Sequence, residues 1–92
     1  SQLPVLEEGG VVGIIDEWDL LSHVQGDSQR FGLPVREAMT QEVETLDITA
    51  PESALKPIFD RGQVAVVVDN ERFLGLITRS DLLTSWRNRL EQ

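Results

Sequence analysis

Two short motifs pair acidic residues with a predicted helix start and could bind a polar ligand. Thr78 and Asp81 stand three residues apart ahead of an apolar, periodic segment, and Asp16 and Asp19 repeat that spacing. At a helix start, such side chains lie beside backbone N–H groups that have no partner within the helix. A carboxylate there can accept hydrogen bonds from both hydroxyls of a ribose, while hydroxyl and N–H groups can bind a phosphate or a carboxylate.

The same spacing also has a purely structural explanation. Both motifs are variants of the capping box, in which the two side chains only satisfy backbone groups at the helix start. A cap and a ribose contact are compatible, so both interpretations stay open. In the first motif a carboxylate, Asp16, replaces the hydroxyl of Thr78, and a phosphate would meet like charge from Glu17 and Asp19 as well. We therefore expect the Asp19 site to be empty or to suit a cationic ligand tail.

The two motifs belong to an internal repeat with an offset of 62 positions. Residues 3–21 align with residues 65–83, so that Gly13 matches Gly75. Such a repeat predicts two similar units packed together. Residues 43–62, which precede the second copy, have no counterpart at the start of the sequence. The first copy is therefore expected to be truncated, with only its back half present.

The alternation of apolar runs and turn residues predicts the elements that position these motifs. Hairpins are expected at residues 3–15 and 64–77, each followed by a helix with an apolar stripe. A further strand is expected at Val43–Leu46, so the second unit reads strand, helix, strand, strand, helix. The predicted fold class is α/β in the α+β sense, with a small mixed sheet and one complete and one partial copy of the βαββα motif.

The helix after Val43–Leu46 has start signals and one conflicting residue. Thr49 and Glu52 have capping-box spacing, which predicts a helix beginning at Thr49. Pro57 removes a backbone donor, so we expect a kink there or a loosened first half. The buried face of this helix is expected to comprise Ala54, Leu55, Ile58 and Phe59.

Charge and composition exclude several classes of function. Eight basic residues against sixteen acidic ones give a formal net charge of −8, which disfavours a nucleic-acid partner. The absence of cysteine excludes disulfides and thiolate metal sites, and no apolar run is long enough to span a membrane, so a cytoplasmic protein is expected. His23 has no second ligand at metal-binding spacing, and a surface or helix-end histidine is predicted. No nucleophile–base pair is evident, so catalysis by this chain is not expected.

The segment Gly75–Asp81, behind a hairpin and opening a helix, resembles the signature of the cystathionine β-synthase (CBS) domains, regulatory modules that occur in tandem as Bateman modules. Residues 35–40 also resemble the entry segment of that family. The resemblance predicts the C-terminal half of a first motif plus a connector at residues 1–32 and a complete second motif at residues 33–92. It implies an adenosyl effector, namely S-adenosylmethionine, AMP or ATP, and no cofactor within this chain.

The resemblance also implies which residues bind that ligand. Asp81 would bind the ribose with Thr78 near the ligand tail, and Asp19 with Asp16 would form the equivalent site. Among adenosyl ligands, S-adenosylmethionine fits the acidic Asp19 site best, because it carries a sulfonium and an amino group. Segments of both copies would contribute: Ser1–Leu3 to the Asp81 site, and Leu46–Ala50 with Gly62–Val64 to the Asp19 site. The predicted ligand-binding residues are Gln2, Leu3, Asp16, Asp19, Val64, Thr78 and Asp81.

Residues 73–83 are similar to the C-terminus of the cystathionine β-synthase enzymes. In those enzymes a pyridoxal-phosphate (PLP) catalytic domain precedes the CBS pair, so the resemblance implies a PLP-dependent lyase as the parent and its catalytic domain as a partner. Nucleotide-biosynthetic enzymes, kinases, transporters and channels are other parents of such pairs.

A structural dimerisation module with degenerate ligand sites is the alternative function. Leu21, Trp86 and Leu90 could pair across a two-fold axis in a homodimer. Trp86 is expected to be buried, either in the core or against a partner, and Trp18 to pack on a second subunit rather than to stack on an adenine. Completion of the truncated motif by exchange with another copy also stays open.

Overall fold

The computed structural model describes residues 2–91, which form two units. The first unit extends to Val43 and the second begins at Glu44. Ser1, which the sequence placed beside a ligand, lies outside the described residues. The predicted domain boundary between residues 32 and 33 stays a prediction.

The first unit begins with the predicted hairpin. Strands β1 (Gln2–Glu7) and β2 (Gly10–Asp16) pair in antiparallel register, with Gln2 opposite Asp16. The turn residues Glu8 and Gly9 have φ of 53° and 84°. Two consecutive left-handed residues are typical of the type I′ turn, whose twist matches that of the strands. Helix α1 (Glu17–Val24) follows β2 without a loop.

The segment after α1, residues 25–43, returns to the hairpin of the same unit. Thr40 and Ile14 exchange both backbone hydrogen bonds, at 2.8 and 2.9 Å. At Gly13 an added Cβ would lie 2.5 Å from Met39 Sδ and 2.9 Å from the carbonyl oxygen of Thr40. Gly13 is therefore explained by the close approach of a second segment to the strand, and not by the conformation of a turn. Two short 3₁₀ segments in this stretch are Ser28–Gly32 and Val35–Glu37.

The second unit has the predicted order of strand, helix, strand, strand, helix. Its sheet has the order β3–β4–β5, in which β3 and β4 are parallel and β4 and β5 antiparallel. The sheet is therefore small and mixed, as expected. The elements are β3 (Glu44–Asp47), α2 (Leu55–Asp60), β4 (Ala65–Asp69), β5 (Arg72–Ile77) and α3 (Arg79–Leu90).

The core of the second unit lies between α2 and the sheet. Leu55, Ile58, Phe59 and Ala65 are buried, and the first three confirm the predicted face of the helix, while Ala54 is half-buried. Leu46, Ile77 and Leu82 pack against this cluster.

In the part that the structure describes, the first unit lacks an equivalent helix and strand over its hairpin. Among residues 2–43 no counterpart of β3 and α2 is present. Leu3 aligns with Ala65 in the repeat, yet Leu3 is 61% exposed and Ala65 is fully buried. The two copies therefore share a hairpin and a helix but not the layer that closes the core, which confirms one complete and one partial copy.

The predicted start of the helix at Thr49 is wrong. Asp47, at the end of β3, accepts a 2.9 Å hydrogen bond from the Thr49 amide and another from the Thr49 hydroxyl, so Thr49 closes a turn instead of capping a helix. A 3₁₀ segment, Glu52–Ala54, precedes α2, which confirms the loosened first half. Pro57 consequently lies in the first turn of α2, where its missing N–H costs little.

The helices α1 and α3, which follow the two hairpins, are exposed along their apolar stripes. No residue of α1 or α3 is buried. Trp86 is 46% exposed, so its predicted burial in the core is wrong, whereas its burial against a partner stays a prediction. Trp18 is 73% exposed. The cause is that α3 contributes only Leu82 to the core cluster.

Candidate functional site

Thr78 and Asp81 form a reciprocal cap at the start of α3. The Asp81 amide donates to Thr78 Oγ1 at 3.3 Å, and the Thr78 amide donates to Asp81 Oδ2 at 2.8 Å. Thr78 directly follows β5 and Asp81 lies in the first turn of α3, so the end of the strand fixes the position of the cap. Thr78 is half-buried and Asp81 is exposed. The capping interpretation of this motif is confirmed.

Asp16 and Asp19 form the same cap at the start of α1. The Asp19 amide donates to Asp16 Oδ1 at 2.8 Å, and the Asp16 amide donates to Asp19 Oδ2 at 2.9 Å. Gln2 Nε2 donates to Asp16 Oδ2 at 3.4 Å, which brings the strand β1 to the same place. Both aspartates are half-buried. The substitution of a carboxylate for the Thr78 hydroxyl thus preserves the cap.

Each cap leaves part of its carboxylate available. Asp19 and Asp81 both use Oδ2 to accept the N-cap amide, and Oδ1 of each accepts no hydrogen bond from the described residues. A carboxylate oxygen has two acceptor positions. Capping and ribose binding can therefore occur on the same side chain, because the cap does not exhaust its acceptors.

The two caps differ in charge. Asp16, Glu17 and Asp19 bring three carboxylates to the start of α1. The start of α3 has one carboxylate, Asp81, and one arginine, Arg79, so the formal charges of its first turn sum to zero. The first cap therefore favours a cationic group beside it, and the second tolerates a neutral or anionic one.

The remaining predicted residues flank these caps. Leu3 pairs with Ile15, one position from the Gln2–Asp16 pair, at the end of the first hairpin. Val64 is half-buried and directly precedes β4, whose first residue, Ala65, pairs with Ile77. Within the units, Gln2 and Leu3 thus lie near the Asp16–Asp19 cap, and Val64 lies near the Thr78–Asp81 cap. The expected contributions of Ser1–Leu3 to the Asp81 site and of Gly62–Val64 to the Asp19 site stay predictions.

Asp47 is a polar residue that sequence reasoning named only within the segment Leu46–Ala50. The Thr49 hydroxyl, and then the Thr49 amide, hold the pKa of the Asp47 carboxyl below its usual range, since both hydrogen bonds favour its charged form. An Asp two residues ahead of a Thr at a strand end is the spacing of an Asx turn, and that signal could have identified it.

His23 lies in the last turn of α1, in agreement with a helix-end position. Its side chain is half-buried, and Nε2 is buried without a hydrogen-bond partner among residues 2–91. Within residues 2–91 no group of three or more His, Cys, Asp or Glu side chains is placed to hold a metal ion. In that same range no helix combines the length and the apolar character needed to cross a membrane.

The second unit has an apolar cleft between α3 and the segment from Glu52 to Phe59. Its volume is about 500 Å³. Phe59, Leu82, Leu83 and Trp86 form its apolar wall. The wall includes three apolar residues of α3, Leu82, Leu83 and Trp86, so this face is not closed by the residues of its own unit.

A protein-family comparison identifies the scaffold that carries the caps. The family model described as the CBS domain matches residues 1–26 and 35–88. The matches cover most of the chain and include both hairpin–helix junctions. The connecting residues 27–34 fall outside both matched segments.

Solved structures share the same fold. A protein from Vibrio cholerae provisionally assigned to acetoin utilization (AcuB) is 26% identical, with a TM-score of 0.82 over 98% of this chain and 69% of its own. The CBS-domain protein ATU1752 from Agrobacterium tumefaciens is 27% identical, with a TM-score of 0.75 over 92% of this chain and 71% of its own. The CBS domain pair of protein MJ0100, in complex with 5-methylthioadenosine and S-adenosyl-L-methionine, is 26% identical, with a TM-score of 0.75 over 96% and 71%.

Proposed function

The chain belongs to the family of CBS domains, and from this premise we propose that it binds an adenosyl ligand and thereby controls an attached or associated domain. It is a regulatory module in which each hairpin–helix junction presents a carboxylate with one oxygen that accepts no hydrogen bond from the described residues. The main support is the complex of the MJ0100 domain pair with two adenosyl compounds, since that pair is 26% identical to this chain. The residues proposed to bind the ligand are Gln2, Leu3, Asp16, Asp19, Val64, Thr78 and Asp81.

We propose S-adenosylmethionine as the ligand of the Asp19 cap. Its sulfonium and ammonium groups are cationic, and three carboxylates, Asp16, Glu17 and Asp19, lie at this helix start. The triphosphate of ATP would meet like charge there, at a cost that rises as water is excluded. The Asp81 cap, with Arg79 beside it, suits the phosphate of AMP or ATP better.

Isothermal titration with S-adenosylmethionine, AMP and ATP tests this proposal. Asp19→Asn and Asp81→Asn are the informative variants, because asparagine keeps one acceptor for the cap amide but loses the second acceptor for the ribose. Asp69→Asn, an equal loss of charge on an exposed strand end, is the matched control.

We expect S-adenosylmethionine to bind more tightly than ATP, and Asp19→Asn to weaken that binding by about tenfold, the loss of one charged hydrogen bond. Asp69→Asn should bind as the wild type does. If none of the three ligands gives a binding heat at millimolar concentration, the proposal is wrong.

Regulation requires that the ligand bind two states of the protein with different affinity. The parent protein that this difference would regulate is proposed from the sequence alone. It is a cytoplasmic, PLP-dependent cystathionine β-synthase, because residues 73–83 resemble the C-terminus of those enzymes. The gene sequence ahead of the codon for Ser1 tests this part, since it should encode a PLP-binding domain with its lysine. A membrane domain there would refute it.

A structural dimerisation module is the second candidate, favoured by the exposed stripe of α3. Leu83, Trp86 and Leu90 are 62%, 46% and 86% exposed, and the cleft beside them is apolar. A second copy packed along this stripe would bury these side chains, as at other homodimer interfaces.

The solution mass distinguishes this candidate. Wild type should have about twice the 10.3 kDa mass of one chain in light scattering. Trp86→Ala should be monomeric, whereas Phe31→Ala, at an exposed aromatic residue outside the stripe, should stay dimeric. The structural role is favoured over the regulatory one if no ligand binds and the dimer stays unchanged. It must stay unchanged both on addition of the three ligands and in Asp19→Asn.

A further inference from the structure

The segment that follows α1 is held on the first unit at the only sulfur atom of the chain. The sequence has one methionine and no cysteine. Met39 Sδ and Cγ lie 2.5 and 2.8 Å from the position that a Cβ at Gly13 would occupy, so the thioether rests directly on the backbone of β2. The next residue, Thr40, exchanges two backbone hydrogen bonds with Ile14. We refer to these four residues, Gly13, Ile14, Met39 and Thr40, as the connector clasp.

A small cleft connects the thioether with solvent. It has a volume of about 210 Å³ and includes the apolar side chains of Val5, Val12 and Met39. Met39 itself is half-buried. Arg36 and Glu7, whose Nη2 and Oε2 atoms are 3.4 Å apart, also line this cleft. A molecule as small as hydrogen peroxide can therefore approach Sδ without prior unfolding.

An oxygen added to this sulfur would disturb a closely packed contact. The backbone amides of Ile14 and Thr40 bond to each other's residues, and the Met39 amide donates to the Val35 carbonyl at 3.0 Å. Sδ rests directly on the backbone of β2, so an added oxygen enlarges a side chain that already contacts that backbone. The oxygen also makes an apolar side chain polar beside Val5 and Val12. The sulfoxide therefore favours the open clasp over the closed one.

We propose that Met39 is a redox switch whose oxidation to the sulfoxide opens the connector clasp. Hydrogen peroxide transfers one oxygen atom to Sδ: an S–O bond forms, the O–O bond breaks, sulfur is oxidised by two electrons, and water leaves. Methionine sulfoxide reductase reverses the change. The switch acts on residues 35–43, which precede β3. It therefore controls whether this part of the chain, between the two caps in the sequence, stays bound to β2. This role goes beyond ligand binding and does not depend on it.

Amide hydrogen exchange of the full chain tests the switch. Peroxide treatment should add one oxygen atom to the chain mass at Met39. Exchange at the amides of Ile14 and Thr40 should then accelerate by at least about tenfold, because local opening exposes both. Treatment with the reductase should restore the original rates. Amides of α3 in the second unit serve as internal references and should not change.

The matched control is Met39→Leu, which keeps the apolar side chain but cannot form a sulfoxide. Its amides should be insensitive to peroxide. The proposal is overturned if the sulfoxide forms and the exchange at Ile14 and Thr40 stays the same, or if Met39→Leu shows the same acceleration. Resistance of Met39 to peroxide that fully oxidises free methionine would overturn it as well, since the thioether would then be inaccessible. None of these outcomes bears on the adenosyl proposal, which is read from ligand titration.

Discussion

Met39 Sδ lies 2.5 Å from the place where a Cβ at Gly13 would stand, and the Thr40 carbonyl oxygen lies 2.9 Å from it. The aligned glycine of the second copy, Gly75, has no such neighbour within 4 Å. A second segment of the chain therefore packs against Gly13, whereas no such segment among the described residues packs against Gly75. The two copies have diverged in what packs on the same strand position.

This difference predicts opposite tolerance at the two glycines. Gly13→Ala should lower the free energy of unfolding by about 1–3 kcal/mol, because the methyl group overpacks against a backbone carbonyl that cannot easily move. Gly75→Ala should change it by less than about 1 kcal/mol, and in the favourable direction if alanine limits the unfolded chain. Urea unfolding of both variants measures this. Equal destabilisation by the two would contradict the role of the connector.

The turn between β4 and β5 offers a stabilising substitution. Asn70 and Glu71 have φ of 48° and 70°. In this left-handed region of backbone conformation, residues other than glycine, asparagine and aspartate are unfavourable. Glu71→Gly creates the preferred Asn-Gly pair of a type I′ turn and should raise the free energy of unfolding by about 0.5–1 kcal/mol. Thermal unfolding checks the gain. Asp69→Gly, where φ is not positive, is the control and should destabilise the chain.

The cap of α3 predicts a graded response at Thr78. Thr78→Ala removes the acceptor of the 3.3 Å bond from the Asp81 amide and should cost about 1 kcal/mol of stability. Thr78→Ser keeps the hydroxyl and should cost only a few tenths of that amount. Denaturant unfolding with helix-sensitive circular dichroism distinguishes them. If the alanine and serine variants unfold alike, the hydroxyl does not contribute to the cap.

Asp47 should titrate at lower pH than a free aspartate. Its pKa is lowered first by the Thr49 hydroxyl, so Thr49→Ala should raise that pKa toward its usual value of 3.8. Because the folded pKa is the lower one, the hydrogen bonds contribute stability fully above the unfolded pKa. That contribution is lost as the pH falls through the folded pKa. Carbon-detected NMR of the Asp47 carboxyl measures both proteins, and identical titration curves would disprove the assignment.

Interactions between near neighbours in the chain were readable from the sequence. The caps at Asp16–Asp19 and Thr78–Asp81 join residues three positions apart, and such spacing determines which groups meet at a helix start. Both hairpins follow from short apolar runs separated by four polar or glycine residues, and the strands continue into these until two turn residues remain. The repeat, the mixed sheet and the family resemblance rest on the same local patterns.

Local signals failed where two of them competed. Thr49 could cap a helix with Glu52 or close a turn with Asp47, and the spacing permits both. The structure has the turn, because Asp47 ends β3 with its carboxylate next to the Thr49 amide and hydroxyl. Which signal prevails depends on where the strand ends, and its parallel pairing with β4 decides that.

Remote contacts were decided by the tertiary structure alone. The stripe of α3 predicted a buried Trp86, yet periodicity does not say how much of a helix its own unit covers. The sequence shows Gly13 and Met39 as two separate residues 26 positions apart, and nothing in their types joins them. Their contact exists because Thr40 pairs with Ile14, a non-local backbone pairing that no short pattern encodes. The sequence by itself thus determined the repeated junctions and their carboxylates, and the packing of distant segments determined how the two junctions differ.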